Sequence, residues 1–302
     1  MPHIPVLLEQ VIQYLKPKPG YRFIDATAGG GGHAQALAQR VAPDGKVLAL
    51  DWDSRMVERL STGLAKNIIP VHASYTELER LVSEYGFENC DGILFDLGMS
   101  SWHIEEAGRG FSFERDEPLD MRYDTTNGEM PNQTAKDIIN AWPEHDIEKI
   151  LKEYGEERFD GRIARAIASA RKIKPILTTF ELVEIIKKAV PFAYRHGRIH
   201  FATRTFQALR IAVNHELENV RKGLDAGLRV LKPGGILAVI AFHSLEDRIV
   251  KQYFREKKRE GALHIVTKKP VRADLAEIEQ NRRARSAKLR IAQKADESRS
   301  GG

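Results

Sequence analysis

The chain has little of what would tie it to an oxidising compartment or a membrane. Its 302 residues contain one cysteine, Cys90, which leaves no internal disulfide and no cysteine-rich zinc site, and we expect no metal. The longest apolar run, residues 236–242, is far short of the ~18 to 20 residues a bilayer span needs. The first nine residues lack a basic stretch followed by a long apolar one, so a secretory signal is not expected and the cytoplasm is. Internal repeats and low-complexity stretches are absent apart from the polar end at Gly302. What remains is 42% hydrophobic and 29% charged, a composition that folds, and the length suits about two domains.

The net charge of +5 is unevenly spread. Residues 251–302 carry 15 Lys and Arg against 7 Asp and Glu, a net +8, which leaves −3 on the first 250 residues. A basic C-terminal segment can meet phosphates, and it can equally be a solubilising end. The cluster Arg282, Arg283, Arg285, Lys288 and Arg290 is its densest part.

Near-continuous apolar runs of strand length alternate with helical periodicity over the first hundred residues. Strands are expected at residues 21–25, 47–50, 68–71 and 93–95, with a helix over 33–41 after the run Gly29 to Gly32. Such alternation predicts an α/β fold with a doubly wound, mostly parallel sheet. The next buried strand, residues 236–241, comes only after a long interval with helix-like segments at 135–142, 147–154, 163–171 and 179–190. We therefore expect an inserted all-helical domain at 107–204, dividing a sheet domain made of 1–106 and 205–302.

A glycine run between a strand and a helix can present backbone N–H groups to a ligand, although ordinary tight turns also use glycine. Asp51, at the end of the second strand, is placed to accept from ribose hydroxyls. Asp25 precedes the glycine loop and Asp96 ends the fourth strand. A pyrophosphate would be repelled by these acids, whereas S-adenosylmethionine carries a sulfonium and an ammonium and no phosphate. The acids thus favour a methyltransferase over a nicotinamide-dependent oxidoreductase. A non-catalytic RNA-binding factor that keeps the fold is the other alternative, and the intact glycine loop and Asp96 argue against it. Cys90 lies before its strand, which suits a buried structural thiol better than the covalent nucleophile of carbon-5 methylation. His243, Ser244, Glu246 and Asp247 follow the 236–241 strand at its active end. They read as substrate contacts, with a helix cap by Ser244 and Asp247 as the alternative. Phe111 and Phe113, interleaved with Arg109 and Arg115, can stack on unpaired bases or pack inside the protein.

The chain resembles the bacterial small-subunit (16S) ribosomal RNA cytosine-N4 methyltransferases almost end to end. The matched stretches include His3-Ile4-Pro5-Val6-Leu7-Leu8, Asp25-Ala26-Thr27 with Gly30-Gly31-Gly32-His33, Asp96-Leu97-Gly98 and Arg109-Gly110-Phe111-Ser112-Phe113. Pro118-Leu119-Asp120-Met121-Arg122, Arg204-Thr205-Phe206-Gln207-Ala208-Leu209-Arg210 and Phe242-His243-Ser244-Leu245-Glu246-Asp247-Arg248 also match. The resemblance implies a class I methyltransferase fold using S-adenosylmethionine on a cytidine of the decoding region, with 16S rRNA or the small subunit as partner. It places cofactor contacts at Gly31, Gly32, His33, Asp51, Tyr75, Asp96 and His103. Asp96, at the end of the strand where amino methyltransferases keep an acidic or amide residue, and His243, at the active end of the 236–241 strand, are the candidate catalytic residues. Three departures from the family's pattern stand out. Tyr75 replaces the usual Phe, Ser100-Ser101-Trp102-His103 replaces Ser-Ser-Pro-Gln, and Asn281-Arg282-Arg283 replaces Asn-Pro-Arg.

Overall fold

The computed structural model describes residues 5–126 and 133–296, and it divides into two compact units. His3, Ile4 and Gly302, named above, lie outside the described residues. The first unit joins Met1–Gly98 to Leu217–Gly302, and the second is Met99–Glu216.

In the first unit the chain runs through α1 (Leu8–Leu15), β1 (Arg22–Asp25), α2 (Gly32–Val41), β2 (Lys46–Asp51), α3 (Ser54–Ser61), β3 (Ile68–His72), α4 (Leu78–Tyr85) and β4 (Cys90–Asp96). These strands are apolar because both faces are covered: Phe23, Ile24, Val47, Leu48, Ile93 and Leu94 are fully buried. Pro70 is tolerated because β3 is an edge strand, bonded only to β2.

The second unit holds α5 (Ser101–Glu105), α6 (Ala135–Ala141), α7 (Glu144–Glu153), α8 (Asp160–Ala170), α9 (Thr179–Ala189), α10 (Phe192–Arg195) and α11 (Thr203–Asn214). Its boundaries are wider than the expected 107–204. The reason is α11, whose Phe206, Leu209 and Ile211 are buried and which packs on α6 and α7 rather than ending at residue 204. At the other edge, α5 clusters with this unit as well.

The chain returns through α12 (Glu216–Val230), β5 (Leu231–Ala241), α13 (Ser244–Arg259), β6 (Leu263–Ile265), α14 (Leu275–Gln280) and β7 (Lys288–Lys294). β5 starts five residues earlier than expected, since the Lys232-Pro233-Gly234-Gly235 turn is absorbed as an irregularity in its pairing with β4. The seven strands are ordered β3-β2-β1-β4-β5-β7-β6, parallel except for β7, which runs antiparallel between β5 and β6. The order reverses between β1 and β4, and in open α/β sheets the crevice at the carboxyl ends of such strands is where ligands bind. No helix among the described residues is long and apolar enough to cross a membrane.

Candidate active site at the carboxyl edge of the sheet

Three aspartates stand at the carboxyl ends of neighbouring strands: Asp25 on β1, Asp51 on β2 and Asp96 on β4. Asp25 is 1% exposed. Its Oδ1 accepts from the Thr27 N–H at 3.3 Å, while Oδ2 is buried with no hydrogen-bond partner among the described residues. Burial pushes its pKa from 3.8 up to about 7, against the pull of the Thr27 and Ala34 amides and with a further push from Asp51.

Asp96 has the same character. Burial and then the Asp25 carboxylate raise it to about 8, Arg283 opposes them, and Glu246 adds a smaller push. Its N–H donates to Thr27 Oγ1 at 2.6 Å, its Oδ2 lies 3.7 Å from His33 Nδ1, and its Oδ1 has no hydrogen-bond partner among the described residues. Buried carboxylate oxygens left without donors are costly, and here they converge where a cationic ligand would neutralise them.

The glycine loop is shaped as much by packing as by any ligand. Gly31 has φ +76, and its N–H donates to the Ala28 carbonyl at 2.7 Å, so that donor serves the turn itself. A Cβ at Gly31 would come within 2.6 Å of the Leu60 Cδ2 methyl, which would have to shift, and the positive φ itself favours glycine. Gly32 opens α2 against Pro5. Asp51 ties the loop down: Oδ2 accepts from the Gly29 N–H at 2.8 Å and Oδ1 from the Asp53 N–H at 2.9 Å. Tyr75 follows β3 in a short 3-10 turn. Its ring meets Phe95 edge-on at 5.5 Å and lies so close to α12 that a Cβ at Gly223 would fall 2.5 Å from it. This is a fixed aromatic face beside the Asp51 strand end, suited to an adenine.

Two residues of the expected site also cap helices. His243 is the N-cap of α13: its Nδ1 accepts from the Glu246 N–H at 3.4 Å, and Glu246 Oε2 accepts from the Phe242 and His243 N–H groups at 2.9 and 3.3 Å. The cap is therefore His243 with Glu246, not Ser244 with Asp247, and the histidine's geometry is spent on positioning a buried acid. His103 belongs to the second unit. There its Nδ1 accepts from the Ser100 N–H at 3.1 Å in a capping box on α5, and its ring, 5% exposed, is packed among Trp102, Phe111 and Tyr123.

The tail also departs from expectation. Arg290, 8% exposed, lies on β7 with Nε 2.6 Å from Asp247 Oδ1, and Lys288 Nζ is 3.3 Å from Asp247 Oδ2. These pairs hold Asp247 below the usual carboxylate range against the cost of its burial. Arg282 and Arg285 remain exposed. Of the two phenylalanines, Phe111 is buried and stacks on Tyr123, while Phe113 is half-buried and stacks on His200 at 4.4 Å. Cys90 is buried at the amino end of β4, with its thiol pushed up to about 12 by burial and then by Asp91. Glu246 and Thr27, which bear on Asp96, carry no signal in the sequence that would single out this use.

Strand order, glycine loop and acidic strand tips together define a Rossmann-like S-adenosylmethionine-dependent methyltransferase, because the unpartnered carboxylate oxygens fit a ligand with a sulfonium and an ammonium and would repel a pyrophosphate. The chain belongs to the MraW methylase family, whose model matches residues 1–295. It is 44% identical over 306 residues to Ribosomal RNA small subunit methyltransferase H of Syntrophotalea carbinolica, covering 95% of this chain and 96% of that one. The proteins of the same name from Geobacter sulfurreducens and Persephonella marina are 45% identical over 311 residues and 44% over 295, covering 97% of this chain and 98% and 99% of theirs.

Proposed function

We propose that the protein methylates the exocyclic N4 of a cytidine in the decoding region of 16S ribosomal RNA. The observation that carries this reading is Asp96, whose unpartnered Oδ1 supplies a hydrogen-bond acceptor at the switch point of the sheet, in a chain that is a full-length match to small-subunit rRNA methyltransferases. S-adenosylmethionine, when bound, supplies an electrophilic methyl group. Gly31 and Gly32 shape the loop that holds it, Asp51 accepts from its ribose hydroxyls, Tyr75 flanks its adenine, and Asp25 balances its positive charge.

The cytosine amine is a poor nucleophile because its lone pair is delocalised into the ring. Asp96 Oδ1 accepts one amino hydrogen, which favours a pyramidal nitrogen and fixes its direction. His33 stands behind Asp96, and His243 holds Glu246 beside it. The inserted unit and the exposed Arg282 and Arg285 contact the rRNA, and the reaction takes place with the small subunit in the cytoplasm.

The test is mass mapping of rRNA after incubation of small subunits, or of free 16S rRNA, with the protein and labelled cofactor. We expect one N4-methylcytidine. A label at carbon 5, on a ribose, or on no nucleotide overturns the reading. Asp96→Asn should lower turnover more than cofactor affinity, and equal losses would make Asp96 chiefly a cofactor ligand.

A further inference from the structure

Residues 185–215 contain no Asp or Glu, although acids make up 42 of the 302 residues of the chain. The stretch lies wholly within the second unit, where it runs from the last turns of α9 through α10 and α11, and it carries Lys187, Lys188, Arg195, Arg198, Arg204 and Arg210. Part of this charge is consumed by the fold. Arg210 pairs with Glu216, Arg204 donates to the Glu156 carbonyl, Lys187 meets Glu184 at 3.1 Å, and Arg195 donates to the Val190 carbonyl at the end of α9. Lys188 and Arg198 are exposed, and neither meets a carboxylate among the described residues. Two acids reach the stretch from outside it. Glu157 is buried and accepts from the Tyr194 hydroxyl at 2.8 Å, and Glu114 acts on His200.

Beside the two exposed cations, large apolar side chains stand in water. Phe192 is 72% exposed and Ile199 is 53% exposed, and the Phe192 ring is backed by His196 at 4.5 Å. A phenylalanine that buries so little contributes little to the fold, so packing does not explain it. A second copy of this chain is a poor cover, because a two-fold contact would bring the same cations of both copies together. A lipid surface is a poor cover too, since α10 has four residues and offers no apolar helix face long enough to lie in a membrane interface. Unpaired nucleotides suit both halves of the surface, because bases stack on an exposed aromatic ring while their phosphates meet the cations.

We propose that residues 188–199 form a platform for unpaired nucleotides of the rRNA, with a base on Phe192 and the flanking phosphates on Lys188 and Arg198. This rests on the methylation reading above and adds to it a contact with nucleotides other than the target cytidine, made by the second unit alone. The platform governs which RNA is held rather than the transfer of the methyl group.

The experiment compares a labelled, unstructured RNA oligonucleotide with a perfect RNA duplex of equal length, by fluorescence anisotropy on the full chain. We expect Phe192→Ala to weaken binding of the unstructured RNA by about ten- to a hundredfold, Phe192→Trp to restore it, and the duplex to be held as before, all at an unchanged melting temperature. Lys188→Ala with Arg198→Ala should lower the slope of log affinity against log salt by about 1.4 for the unstructured RNA. In methylation of small subunits, the Phe192→Ala loss should appear in KM rather than in kcat. Unchanged affinity of Phe192→Ala for the unstructured RNA, or equal losses for single strand and duplex, overturns the proposal. So does a Phe192→Ala protein that changes only its oligomeric state or its retention on phosphatidylserine vesicles. If the variants weaken RNA binding as expected but the parent methylates no cytidine, the methylation reading fails and the platform stands.

Discussion

Replacing Asp25 with asparagine converts the cost of a buried carboxylate into a measurement. Asp25 is 1% exposed, and burial lifts its pKa from 3.8 to about 7. The folded chain therefore holds a proton at this group that the unfolded chain has already lost. Its contribution to stability is whole below pH 3.8 and is lost as the pH rises through about 7. The distance between the two values corresponds to ~4 kcal/mol, reached at pH 8 and above. Asp25→Asn has no charge to bury, and its amide oxygen can still accept from the Thr27 N–H. Ligand-free Asp25→Asn should therefore be the more stable protein at pH 8.5, by up to ~4 kcal/mol, and the advantage should shrink to ~1.6 kcal/mol at pH 5 and toward zero below pH 3.8. Denaturant unfolding at pH 5, 7 and 8.5 reads this directly. The cofactor reverses the order. S-adenosylmethionine carries a single net positive charge and stabilises the ionised form, so its affinity for the parent should tighten from pH 6 to 8. Calorimetry in buffers of different ionisation heat should show proton release on binding, and Asp25→Asn should reduce both effects to the part that Asp96 supplies. A stability difference that does not vary with pH, or an Asp25→Asn protein that is less stable at pH 8.5, would refute the reasoning.

Asp51→Ala removes the acceptor for the Gly29 and Asp53 N–H groups as well as for ribose, and should weaken cofactor binding by ~1 to 3 kcal/mol in calorimetry; unchanged affinity would take Asp51 out of the site. Arg290→Ala breaks a buried pair with Asp247 and should cost roughly 3 kcal/mol of stability while leaving the salt dependence of rRNA binding unchanged. Arg282→Ala with Arg285→Ala should do the opposite, lowering the slope of log affinity against log salt by about 1.5 and sparing the melting temperature. Cys90→Ser should remain active, since the thiol is buried at the amino end of its strand; a folded but inactive protein would revive a covalent carbon-5 mechanism.

The parallel half of the sheet is legible from the chain alone, because strands buried on both faces must be apolar along their whole length, as in residues 23–24, 47–50 and 93–95. β7 was hidden by its composition. In Lys288–Lys294 a basic residue alternates with apolar ones inside a segment already marked by its positive charge. What makes it a strand is pairing with β5, some fifty residues earlier in sequence, and nothing local announces that. The width of the inserted unit was hidden for the same reason. α11 has nine of its 12 residues buried, and only its contacts with α6 and α7 assign it to the second unit.

Charge shows the same division between what is local and what is not. Counting Lys and Arg finds the basic tail but cannot see that Asp247 consumes Arg290 and Lys288, so part of the phosphate surface is structural. The aspartates at the strand tips are the converse case. Their positions follow from the strand ends, and once strand order makes β1 and β4 neighbours, Asp25 adds to the burial that raises the pKa of Asp96. Two such groups weaken the empty fold, and a hydrophobic or amide replacement would be easier to bury. Their presence is explained by a ligand that brings positive charge to the same edge. The residues around them, His33 through its bond to Val6 and Glu246 through its cap on α13, are set by contacts that only the folded chain makes.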